Sequence, residues 1–101
     1  MKVVCSDVNK MVAMIVRYAG NRNLANGLRV TYTPPSAVNV SHSDFTIVVA
    51  VILGVNKDLR YNTWIKTKGF VNYEEFDKIG NLANDIIRAL ENENYFTIEE
   101  L

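Results

Sequence analysis

The sequence predicts an α+β domain: a helix, a three-stranded antiparallel meander, a second helix, and a short C-terminal edge strand. Three observations carry this. The run Ile47 to Leu53 is wholly apolar and mostly β-branched, which favours an extended strand over helix. Leu28 to Thr33 and Arg60 to Lys68 alternate apolar and polar residues with the period of a half-buried strand. Two further segments, one on either side of these strands, repeat apolar residues at helical spacing. At 101 residues the chain is one domain, 1–101, with residues 92–101 as a tail able to dock on this copy or on a partner.

In chain order, Ser6 or Asp7 can cap a first helix, in which Val8, Met11, Val12, Ile15 and Ala19 form one stripe until Gly20 ends it. The segment Asn21 to Gly27 reads as a loop, and the strand after it stops at Pro34-Pro35, since proline supplies no ladder donor. Ser36 to Ser43 reads as a polar linker into the central strand. That strand, Phe45 to Leu53, places Phe45, Ile47, Val49, Val51 and Leu53 on one face and Thr46, Val48, Ala50 and Ile52 on the other. After the turn at Asn56-Lys57-Asp58, the third strand sets Trp64 on the same face as Lys66 and Lys68. Asn72 caps the second helix, whose first turns carry Glu74, Glu75 and Asp77 where the helix dipole favours negative charge. Its apolar stripe runs through Phe76, Ile79, Leu82, Ala83, Ile86, Ile87 and Leu90. In the tail, Tyr95, Phe96 and Ile98 supply the apolar residues of the edge strand.

Short connections place both helices on one sheet face and leave the other face open. An uncovered apolar face marks a protein contact, so Thr46, Val48, Ala50, Ile52, Trp64 and Lys66, together with Tyr95, Phe96 and Ile98, are the expected interface. Trp64 on the face with Lys66 and Lys68 could also serve as a stacking platform for single-stranded nucleic acid, but one aromatic residue fits a protein contact better.

Other chemistry is sparse. Net charge is zero, which argues against a protein that grips a nucleic-acid backbone. The charge is unevenly spread: nine basic and three acidic residues precede Gly69, and two basic and eight acidic residues follow from there on. Such a dipolar chain suits contacts between identical copies. Cys5 beside Val3 and Val4 reads as a small buried hydrophobe, and His42 among Ser41, Ser43 and Asp44 reads as a loop hydrogen-bonding residue. No residue set suggests a catalytic centre, a metal or a cofactor, and the expectation is a non-enzyme. The N-terminal residues lack a secretory apolar stretch and the central run is far shorter than the ~20 residues that span a bilayer, so no membrane partner is expected.

Two families share this element order. In Leu28 to Tyr32, Asp44 to Leu53 and Tyr73 to Leu90 the chain resembles tail-terminator or tail-completion proteins of long-tailed bacteriophages. That resemblance implies a homo-oligomeric viral protein of virion assembly, forming rings that close the tail tube, found in the virion or host cytoplasm and contacting other phage or host proteins. In His42 to Val49 it is similar to double-stranded RNA-binding domains, but the acidic segment Asn72 to Lys78 stands where that family grips phosphate, which implies that RNA binding is lost. A third expectation is a small phage inhibitor that docks its open sheet face or edge on a host or defence protein.

Overall fold

The computed structural model describes residues 1–100, arranged as β1 (Lys2–Cys5), α1 (Val8–Gly20), β2 (Arg29–Thr33), β3 (Ala37–Ser41), β4 (Phe45–Leu53), β5 (Leu59–Thr67), α2 (Tyr73–Asn92) and β6 (Phe96–Glu99). The fold is α+β, with an antiparallel meander in the order β2-β3-β4-β5 and a separate ribbon of β1 with β6.

Local chemistry explains both helices. Asp7 is extended at the start of α1 and its carboxylate accepts the Lys10 backbone N–H at 3.0 Å. Asn72 does the same for α2, accepting the Glu75 N–H at 2.9 Å, while Glu74 and Glu75 sit in the first turn against the positive end of the dipole. Met11, Met14, Ile15 and Ala19 of α1 are buried, as are Ile79, Leu82, Ala83, Ile86 and Leu90 of α2. Both helices pack on the face of the sheet that bears Phe45, Ile47, Val49 and Val51, all completely buried. Removing each of those side chains from water is worth about 1.5–3 kcal/mol, so β4 is the centre of the core. An ion pair from Arg22 to Asp85, joined by Arg88 at 3.7 Å from Asp85, ties the chain beyond α1 to α2.

Three expectations need correction. The meander has four strands, because Ala37–Ser41 is a strand and no linker: Val38 and Val40 point into the core, and Ala37, Asn39 and Ser41 lie on the other face. A strand precedes α1, with Val3 buried in the core. The tail strand adds to β1, Lys2 opposite Glu99 and Cys5 opposite Phe96, and leaves the edges of the main sheet untouched. Tyr95 and Phe96 are thereby core residues, 3% and 2% exposed, and no interface. Ile98 is half-buried opposite Val3, so the tail strand docks on its own copy. The last two share a physical reason, since the ribbon closes part of the inner sheet face that two helices leave open, whereas β3 is a strand because its backbone pairs with both β2 and β4.

Candidate interaction surface

The outer face of the sheet is assembled row by row from cross-strand neighbours. Arg29, Ser41, Thr46 and Lys66 form one row, Thr31, Asn39, Val48 and Trp64 the next, and Thr33, Ala37, Ala50 and Asn62 the third, with Ile52 opposite Arg60 beyond. The six residues expected on this face from β4 and β5 are therefore together, with Val48 directly beside Trp64 and Thr46 directly beside Lys66. Trp64 is 57% exposed and Ile52 43%, whereas Thr46, Val48 and Ala50 are half-buried by their neighbours.

This face is less apolar than expected, because β2 and β3 line their part of it with Thr, Asn and Ser. The apolar strip is confined to the β4–β5 side. The strand positions of the outer face include three cations, Arg29, Arg60 and Lys66, and no carboxylate. The acidic start of α2 lies on the helical side of the sheet, but so do Lys10 and Arg17 of α1 and Arg22 beyond it, so only part of the charge imbalance between the chain halves separates onto two faces.

The same flank carries an unpaired backbone edge. Gly54 donates its N–H to the Asp58 carbonyl at 2.7 Å, and Lys68 donates to the Asp44 carbonyl at 2.8 Å, bracketing the β4–β5 ladder at both ends. Hydrogen-bonded and non-hydrogen-bonded pairs alternate in an antiparallel ladder, so the even-numbered residues of β5 bond to β4. The N–H and C=O groups of Leu59, Tyr61, Thr63, Ile65 and Thr67 then point away from the sheet, where no strand among the described residues pairs with them. Several apolar side chains of β5, of the connection after it and of the start of α2 are exposed. Phe76, expected in the core stripe of α2, is 54% exposed, and Ile65 is 39% exposed on the inner side of β5. Phe70 and Tyr73 are almost fully exposed in the connection into α2 and at its start. Helical spacing could not separate Phe76 from Ile79, because which turns of a helix overhang the sheet is set by tertiary placement.

The remaining candidates are structural. His42 stacks on Phe45 with ring centroids 4.9 Å apart, its Nδ1 accepts the Asp44 N–H at 3.2 Å, and its carbonyl accepts from Lys68 Nζ at 3.0 Å, so it shapes the β3–β4 turn. Cys5 lies with its Sγ 3.9 Å from Met11 Sδ, and burial pushes its thiol pKa up, away from a reactive thiolate. Among the described residues there is no cluster of three or more His, Cys, Asp or Glu placed to hold a metal, and no helix is long and apolar enough to cross a membrane. One shallow groove runs between Tyr18 and the last turns of α2, and another between Thr63 and Ile87. Comparison with family models, curated proteins and solved structures found no match.

Proposed function

We propose that the protein is a non-enzymatic assembly domain that works by self-association on its β5 flank. The observation supporting this is the coincidence on one flank of a nine-residue unpaired strand edge with the exposed Trp64, Ile52 and Ile65. An unpaired edge supplies directional hydrogen bonds, and an exposed Trp is the side chain that contributes most when an interface buries it. The most concrete form of this reading is a phage tail-terminator or tail-completion component in the virion or host cytoplasm, which rests on the resemblance in sequence pattern. Neither nucleic acid nor a bilayer takes part in it. A second reading, a small inhibitor bound to a host or defence protein, draws on the carboxylate-free outer face with its three cations, which suits an acidic partner surface.

Size-exclusion chromatography with light scattering over a wide concentration range tests the first reading. The expected mass is two or more protomers, and Trp64→Ser weakens association about tenfold, as removal of an interface aromatic worth more than ~1 kcal/mol does, with thermal unfolding unchanged at concentrations where both proteins are monomeric. A protein that stays monomeric at every concentration overturns self-association and leaves the second reading.

A further inference from the structure

We infer that two copies join antiparallel through their β5 strands, about a twofold axis at Asn62, to form a continuous eight-stranded sheet. This rests on the self-association reading and names the geometry and the occupant of the β5 edge. A twofold axis normal to the sheet keeps outer side chains with outer ones, so residues of like parity pair and the axis passes through one residue of β5.

The charges on the outer face discriminate between the axes. An axis at Thr63 overlaps all of β5, but it sets Arg60 opposite Lys66 of the second copy, twice. With the axis at Trp64, Arg60 faces Lys68 of the second copy, and at Lys66 that lysine faces itself. Like charges directly opposite are destabilising, so these registers are rejected. Axes at Tyr61 or Ile65 avoid the clash but pair only five residues of each strand, 59–63 or 63–67.

An axis at Asn62 pairs residues 59–65 of each copy. On the outer face Arg60 lies over Trp64 of the second copy, a cation–π arrangement, and Asp58 at the turn comes opposite Lys66. On the inner face Leu59 meets Ile65 and Tyr61 meets Thr63, an apolar and an aromatic–β-branched pair. The backbone groups agree with this register: Leu59, Tyr61, Thr63 and Ile65 all direct their N–H and C=O outward, giving four hydrogen-bonded pairs and about eight bonds. Arg60 and Lys66 thus act as selectors of register, where an edge lysine usually serves to block pairing.

In this arrangement Asn62 faces its own copy in a non-hydrogen-bonded pair, with Cα atoms about 4.5 Å apart and within disulfide reach. In a Cys5→Ser background, Asn62→Cys is expected to oxidise to a disulfide dimer at least about tenfold faster than Thr63→Cys or Ile65→Cys. Thr63→Pro, which removes an outward N–H and no bond of the β4–β5 ladder, is expected to weaken association about a hundredfold while circular dichroism stays native. If the protein associates but cross-links fastest at Thr63 or Ile65, the axis at Asn62 is wrong; if Thr63→Pro leaves association intact, the β5 pairing itself is wrong; in either case self-association stands. If the parent protein is monomeric, both fail.

Discussion

The main sheet has two edges, and they are treated differently. At the β2 edge the strand has five residues, and because β3 uses its even-numbered residues to bond β4 and its odd-numbered ones to bond β2, only Val30 and Tyr32 turn backbone groups outward. Pro34-Pro35 follows immediately, and the Tyr32 hydroxyl donates to the Pro35 carbonyl, folding the turn over the strand end. The β5 edge has nine residues with five outward-facing members, no proline, and exposed apolar side chains on both faces. Edges of the first kind resist pairing with another strand, and edges of the second kind are open to it. The lesson is that the edge to watch is identified by the parity of its hydrogen bonds, since outward-facing groups and side-chain exposure together define a docking strand.

The largest test of this contrast is a pair of prolines on β5. Asn62→Pro removes an N–H that bonds β4 and is expected to destabilise the protein by about 3 kcal/mol in urea unfolding. Thr63→Pro, one residue on, is expected to cost under about 1 kcal/mol in the monomer. Equal losses would show that the inward and outward parities of β5 are misassigned.

A smaller effect compares side chains near the two edges. Val40, in β3 beside the β2 edge, is completely buried, and Val40→Ala is expected to cost about 2 kcal/mol from lost burial and the cavity left behind. Ile65→Ala, at 39% exposure, is expected to cost under about 1 kcal/mol when measured at concentrations where the protein is monomeric, and more where it associates. A concentration-independent loss at Ile65 would remove that side chain from the interface.

The smallest effect concerns the tyrosines on the inner side of each edge. Tyr32→Phe loses the bond to Pro35 and is expected to cost about 1 kcal/mol at neutral pH. Burial raises the pKa of both Tyr32 and Tyr61 above the ordinary value of 10.0, with Cys5 adding to Tyr32 and Glu91 to Tyr61. The folded state therefore holds these protons more tightly than the unfolded chain. Their contribution is complete below about pH 10 and is lost as pH rises through the folded values, so stability falls on the alkaline side. Tyr61→Phe is expected to leave stability at pH 7 nearly unchanged and to flatten that alkaline decline, as read by denaturant midpoints across pH.

Much of this architecture was legible from residue order. Both helices, their caps at Asp7 and Asn72, and the two faces of β4 follow from local spacing, because periodicity and capping are properties of a few consecutive residues. The strand Ala37–Ser41 was hidden because Asn39 and Ser41 give it the composition of a loop, and only pairing with β4 shows that Val38 and Val40 alternate inward. Lys2–Cys5 is too short to announce itself, and its partner lies at the other end of the chain. For the same reason Tyr95 and Phe96 were placed on the surface when the ribbon carries them into the core. Of the candidate site, the Trp64 strip was visible from alternation. The exposure of Phe76 was not, since it depends on how far α2 runs past the sheet.

The pairing of Lys2 with Glu99 has a consequence for the order in which the chain assembles. Its two strands lie at opposite ends of the chain, so closing the ribbon carries the largest loop-closure entropy of any pairing in the fold, and the ribbon is expected to form late, as a latch. Weakening Val3 or Phe96 then shortens the lifetime of the folded molecule and leaves the speed of its formation almost untouched.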